Sequence, residues 1–301
     1  MGTLFTADLW CADVQQCEGG FTAVRDSLTR IDSLMSVYHA SELTRINHAA
    51  GSGEYLQPVS TDTLTVLRYA IDIAAKSEGL FEPTILPLLK AQGLFRENFA
   101  TEIAPAEQHK IAEAKKLVNY RKVRIERNRA GLKEKGMELD FGGIAKGYAL
   151  DDIAARLTAM GIRQFVLNFG GHLLVRGITH ATTIADPDGS GTLARCRIGS
   201  GSLSVSAQDK RYVTTDGRKK GHLIHPQSGE PHEKSGLALV YHDSAMAADA
   251  WSTALFFATP ADYERITLKQ QIAAVLVEQS GTMHVSDLFA AKKICEFSTK
   301  R

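Results

Sequence analysis

The chain predicts an α+β fold built as two interlocked lobes, and three observations carry that reading. Helical periodicity and strand-like alternation are interleaved along all 301 residues, with no internal repeat or low-complexity linker between them. A hydrophobic content of 44% is enough to bury a large core. The glycine and proline punctuation falls between the periodic segments, where turns are needed.

Residues 3–11 alternate as an opening strand, and Phe21, Val24, Leu28, Ile31, Leu34 and Met35 recur at helical spacing over 20–36. The polar stretch 35–54 reads as a loop around one helical turn near Ser41–Asn47. A helix over Thr61–Ser77 starts at the cap candidates Ser60, Thr61 and Asp62 and stops at Gly79. Pro83 and Pro87 forbid a long helix after Gly79, so this apolar stretch is a packed loop, either a wall for a flat ligand or a buried crossover. A short polar helix over 106–117 precedes strand segments over 118–141, with a turn at Asn128–Gly131. A glycine turn and helix occupy 142–160. Two strands flank a Gly170-Gly171 turn within 164–175, and strand-like pieces continue to about 241. Helices over 244–258 and 260–269 and a closing strand over 272–278 complete the pattern.

Composition excludes several classes of function. A net charge of +1, with no basic run longer than the three residues 218–220, gives no field for nucleic acid. No apolar stretch is long enough to span a membrane, and the opening MGTLFTADLW lacks the pattern of a signal peptide. Cys11, Cys17, Cys196 and Cys295 show no metal or redox spacing, and they are expected as small buried hydrophobes without disulfides.

Three segments can carry chemistry. In LDFGGIAKGYALDDIAAR, residues 139–156, a paired-glycine turn with Lys146 opens a helix; this is either a phosphate grip at a helix N-terminus or a structural turn. Asp249 and Thr253 stand one helical turn apart on one face, as hard oxygen ligands for Mg²⁺ or as an ordinary helix pair in which Thr253 bonds the carbonyl of residue 249. In residues 221–236, His222, His225 and His232 suit a single general base better than a zinc site. Ser202, Ser204 and Ser206 lack a nucleophile elbow, so Ser206 is expected to orient a neighbour by hydrogen bonding. His39, His48 and His172 have no spacing that singles them out.

In order along the chain, MGTLF, MSVYHASELTRIN at 35–47, GLFEPTILPLLKAQGLF at 79–95, LDFGGIAKGYALD at 139–151, LNFGGHLLVRG at 167–177, SVSAQDKRYVTTDGRKKGHLIHPQSGEP at 204–231 and AADAWSTALF at 247–256 resemble the FAD:protein FMN transferase family, the ApbE-type flavin transferases. The resemblance implies one compact domain over 1–301 with the ligand site between its lobes. It also implies FAD as substrate with Mg²⁺, transfer of FMN to a threonine hydroxyl of an acceptor redox protein, and release of AMP. By the same resemblance, Gly143, Asp249 and Thr253 hold the metal. Met1, Tyr38, Leu80, Phe81, Glu82, Asp140, Lys146 and Ile224 line the flavin nucleotide, and His222 assists removal of the acceptor proton. A non-catalytic FAD-binding protein and an FAD pyrophosphatase giving FMN and AMP are the alternatives. The family's setting implies the periplasm or the outer face of the inner membrane, with the cytoplasm open because the chain shows no signal peptide.

Four departures from the family pattern accompany the match. Glu82 stands where the family reads aspartate in FDPT, His172 where it reads aspartate in GGD, and His225 where it reads aspartate in HIIDP; Val205-Ser206-Ala207 stands for TSG. The two changes to histidine remove negative charge near the expected nucleotide site, so FAD binding is expected more firmly than transfer.

Overall fold

A computed structural model describes residues 3–95, 101–189, 191–207, 212–215, 218–221, 223–231 and 236–298. The chain forms two compact units, each assembled from separated stretches. The first comprises Met1–Thr29, Lys146–Asp209 and Ser235–Arg301, and the second Arg30–Ala145 and Lys210–Lys234.

The first unit is organised by a seven-stranded sheet in the order Phe5–Trp10, Gln164–Phe169, His172–Arg176, Gly201–Ala207, Leu237–His242, Ala273–Val277, Met283–Val285. Every neighbouring pair is antiparallel. Because side chains alternate across a strand, the sequence of each strand assigns its two faces. Val166, Leu173, Val175, Leu203, Leu237, Leu239, Val275 and Val277 lie on one face. They share a core with the small sheet of His180–Ala185, Thr192–Ile198 and Cys295–Phe297. The opposite face carries His172 and Ser202, Ser204 and Ser206 among apolar neighbours, and the helix Ala245–Phe256 packs against it.

That helix is buried along nearly its whole length, so small residues dominate it: Ala245, Ala247, Ala248, Ala250 and Ala254. Its N-terminus is tied down twice. Ser244 caps the Ala247 N–H, and the Asp151 carboxylate accepts from the Ser244 hydroxyl (2.6 Å) and from the N–H groups of Ala245 (2.8 Å) and Met246 (3.0 Å). A carboxylate at a helix N-terminus satisfies otherwise orphaned donors and complements the dipole. Asp151 lies on the helix Ala145–Ala159, whose Gly147 allows close approach: a Cβ there would stand 2.2 Å from the Ala245 carbonyl oxygen.

In the second unit, helix Glu42–Ala49 begins in a Ser41/Thr44 capping box and helix Thr61–Lys76 is capped by Ser60. The Glu42 carboxylate joins them, accepting from the Ser60 N–H and hydroxyl and from the Thr63 hydroxyl. Strands Gln57–Pro58, Arg129–Leu132 and Val123–Glu126 form a small sheet. Leu88, Leu94, Ile111, Ala114, Val213 and Ile224 form a separate core cluster.

The expected helices are present with their ends shifted by a few residues; the first starts earlier, at Val14. Other expectations are corrected. Pro87 sits in the first turn of a short helix, Leu86–Ala91, where its missing N–H costs nothing. The turn near Asn128 lies one residue earlier, with Arg127 at φ 52°, so Gly131 belongs to a strand. The strand Ala273–Val277 does not close the chain: Met283–Val285, helix Asp287–Lys292 and strand Cys295–Phe297 follow it.

The cysteines are a further correction. Cys11 pairs with Cys17, and Cys196 with Cys295. Cys196 and Cys295 face each other across adjacent antiparallel strands, a juxtaposition created by register and invisible in spacing. This second bond closes a 99-residue separation, against 6 for the first. Replacing Cys196 and Cys295 together by serine is expected to lower unfolding free energy by about 2–4 kcal/mol, and replacing the short-loop pair by less. Denaturant titration of the two double variants measures the difference.

Candidate active site

The central side chain is Asp249, fully buried in the helix Ala245–Phe256. Its Oδ2 accepts from the Gly147 N–H at 3.0 Å. Its Oδ1 is also buried but has no hydrogen-bond partner, with Lys146 Nζ 3.6 Å away and His172 Nε2 3.5 Å away. An orphaned carboxylate oxygen in the interior is costly unless a cation or donor satisfies it. The chemistry of this position therefore fits a hard metal ligand. Thr253, one turn on, donates to the Asp249 carbonyl at 3.1 Å, and its hydroxyl is itself a hard oxygen of the kind such ions take. Among the described residues no group of three His, Cys, Asp or Glu side chains could hold a metal, so a cation here would need hydroxyl, backbone, water or substrate oxygen as well.

A buried polar chain runs from this carboxylate into the sheet. His172 Nδ1 bonds the Ser204 hydroxyl, Ser204 bonds Ser252 (2.9 Å), Ser206 bonds Ser252 (3.0 Å), and Ser252 donates back to the Asp249 carbonyl (3.0 Å). His172 sits immediately after Gly170 and Gly171, whose φ values of 62° and 94° turn the chain between two strands. Burial pushes the His172 imidazole down to about 4, assisted by Lys146 and opposed by Asp249. It is therefore neutral near pH 7.

Lys146 and Asp249 come together, and Gly147 supplies the N–H contact. Gly143 lies in the second unit, in the turn at 142–144 before the helix that carries Lys146. Asp140, in the same unit, bonds the Pro83 carbonyl through its N–H (2.8 Å), and its carboxylate accepts from the Gly142 N–H (3.2 Å). Leu80 and Phe81 are buried. Tyr38 is half exposed and stacks flat on Phe95, with ring centroids 5.0 Å apart.

Glu82 and Ile224 have well-defined partners within their own unit. The Glu82 carboxylate is spent on Thr84 and on the Tyr120 N–H, and burial raises its affinity for a proton. The Ile224 side chain is in the core cluster around Leu88 and Val213. His225 Nδ1 lies 3.3 Å from the N–H groups of both Gln227 and Ser228, as the cap of its own turn. Met1, His222 and His232 lie outside the described residues. Ser252 and Gly147 were not singled out in the sequence, His172 only as a departure from the family pattern and Ser204 only among serines lacking a nucleophile elbow; the alternation S-L-S-V-S at 202–206, which puts three serines on one sheet face, was the available signal.

Comparison with known proteins follows from this architecture. The fold is that of the flavin-transferase structures. The ApbE flavin transferase of Vibrio cholerae superposes with a TM-score of 0.85 at 23% identity, over 97% of this chain and 96% of that one. The apo flavinyl transferase ApbE of Pseudomonas stutzeri superposes with a TM-score of 0.83 at 26% identity, over 97% and 93%. The model of the ApbE family matches residues 1–276, and the chain belongs to that family. Among curated relatives, the FAD:protein FMN transferase of Klebsiella pneumoniae (strain 342) is 26% identical over 292 residues, 93% of this chain and 83% of the relative. That of Rhodobacter capsulatus is 31% identical over 245 residues, 78% and 46% of the two chains.

The depressed His172 pKa has a definite sign in stability. An unfolded histidine takes up its proton near 6.5, and the native one only near 4. In the metal-free protein, stability is therefore full above about pH 6.5 and falls as pH drops toward 4, by about 3 kcal/mol in total. Chemical denaturation at several pH values is expected to show this slope in the wild type and a shallower one in His172→Asn.

Proposed function

We propose that this protein is a flavin transferase that moves the FMN moiety of FAD onto a threonine hydroxyl of an acceptor redox protein and releases AMP. Membership of the ApbE family, with relatives that are FAD:protein FMN transferases over nearly the whole chain, supports the reading. The observation that carries it is the buried Asp249 with one oxygen unpartnered, one helical turn from Thr253. Because the family match runs through both units, the chain is read as one functional domain.

In this reaction the acceptor hydroxyl oxygen bonds to the FMN phosphorus, the pyrophosphate bond to AMP breaks, and the hydroxyl proton leaves to a base. By the family resemblance that base is His222. The divalent cation, Mg²⁺ by the same resemblance, supplies charge neutralisation at the pyrophosphate when bound. Asp249 and Thr253 would hold it. The Gly147 N–H fixes the rotation of the Asp249 carboxylate so that Oδ1 lies beside Lys146 Nζ and His172 Nε2, and Ser252 restrains the same residue through its carbonyl. Lys146 adds a positive charge beside the carboxylate.

The two disulfides support an oxidising compartment, consistent with the periplasmic or outer-face setting of an exported acceptor. Among the described residues no helix is long and apolar enough to cross a membrane.

Incubation with FAD, Mg²⁺ and an acceptor domain bearing a threonine site is expected to give a flavinylated product by mass spectrometry. AMP release without acceptor would instead identify a pyrophosphatase, and tight FAD binding without AMP release a carrier. Asp249→Ala is expected to reduce metal-dependent turnover by about a hundredfold or more while the protein remains folded. Unchanged turnover would refute the metal assignment.

A further inference from the structure

The protons of the buried serine cluster can be counted. Four contacts each require one hydrogen: Ser252 to the Asp249 carbonyl, Ser204 to Ser252, Ser206 to Ser252, and His172 Nδ1 to Ser204. The serines Ser204, Ser206 and Ser252 supply three. Ser252 gives its single proton to the carbonyl and accepts two bonds, the full use of a hydroxyl oxygen. Ser204 then donates to Ser252 and can only accept from the ring. The fourth hydrogen is therefore on His172 Nδ1, and in the neutral imidazole Nε2 carries a lone pair.

The nitrogen that carries that lone pair lies 3.5 Å from Asp249 Oδ1, and Oδ1 has no hydrogen-bond partner. Two electron-pair donors this close together in the interior favour a cation placed against both. Adjacent ligands of an octahedral divalent ion at about 2.1 Å stand about 3 Å apart, so the observed separation needs only a small adjustment. Lys146 Nζ, 3.6 Å from the same oxygen, supplies positive charge in the metal-free protein. Its side chain is 21% exposed and reaches the site on a flexible stem, so it can withdraw when an ion enters.

We propose that His172 Nε2 is a direct ligand of the cation held by Asp249, and that this nitrogen shifts the site's preference from Mg²⁺ toward divalent ions that accept imidazole, such as Mn²⁺. Mg²⁺ favours all-oxygen shells and keeps its waters, whereas imidazole is a common ligand for later first-row ions. The proposal rests on the reading of Asp249 as a metal ligand, and it gives a role to a histidine that stands where the family pattern has aspartate. The serine chain acts through His172, fixing the tautomer that presents the lone pair.

The test uses the metal-stripped full chain, with Mn²⁺ and Mg²⁺ titrated separately by calorimetry into wild type, His172→Asp and Asp249→Ala. Electron spin-echo modulation of bound Mn²⁺ is recorded on unlabelled and ¹⁵N-histidine protein. The expected result is a histidine-nitrogen coupling in the wild type that changes with the isotope and is absent in His172→Asp. The preference for Mn²⁺ over Mg²⁺ should fall in that variant by about tenfold or more. Mn²⁺ binding that Asp249→Ala abolishes, but with no histidine coupling and an unchanged preference in His172→Asp, overturns the proposal and leaves the metal reading standing. Equal binding by Asp249→Ala and wild type, or no binding by wild type, overturns both. Should His172→Asp fail to fold, the isotope effect in the wild type decides the question.

Discussion

A fully buried carboxylate on the helix Ala245–Phe256 constrains the surrounding first unit. Burying Asp249 is unfavourable unless its oxygens are satisfied, and only one of them is, through the Gly147 N–H. The glycine is required there because any side chain would strike the Ala245 carbonyl. Asp151, one turn further along the same helix, holds the N-terminus of the helix that carries Asp249. Two helices are thus locked by backbone contacts at the point where a charge is taken out of water, and Oδ1, which accepts no hydrogen bond, has the Lys146 ammonium 3.6 Å away to offset its charge.

The sheet beneath shows the same logic. Its face toward the small sheet is apolar, as a buried sheet face normally is, while its other face interrupts an apolar pattern with His172, Ser204 and Ser206. A run of polar side chains in a core is acceptable only when each finds a partner. Here the serines satisfy one another and the helix carbonyl, so the polar face is internally closed except at the imidazole nitrogen beside Asp249.

Local signals made much of this legible. The cap at Ser60, the spacing of Asp249 and Thr253, and the glycine turn before Lys146 all act over a few residues, and the sequence displays them directly. The α+β class followed from interleaved periodicities. What escaped depends on register and packing. Cys196 meets Cys295 only because two strands pair, and His172 meets Asp249 only because a helix lies across a sheet face. The motifs around Glu82 and Ile224 do not display that the carboxylate holds Thr84 and Tyr120 or that the isoleucine side chain fills a core. A motif identifies a segment, but which side chains turn outward is decided by the atoms around them.

The strand Cys295–Phe297 pairs with Thr192–Ile198 and is fastened to it by the Cys196–Cys295 bond. During synthesis, Cys196 emerges 99 residues before its partner exists. In that interval its available cysteine partners are Cys11 and Cys17, either of which would give a mispaired chain. The short pairing of Cys11 with Cys17, possible as soon as the first turn of the helix Val14–Met35 has formed, withdraws both from competition. The small Cys11–Cys17 loop thus acts as a guard on fidelity, reserving Cys196 for the strand Cys295–Phe297.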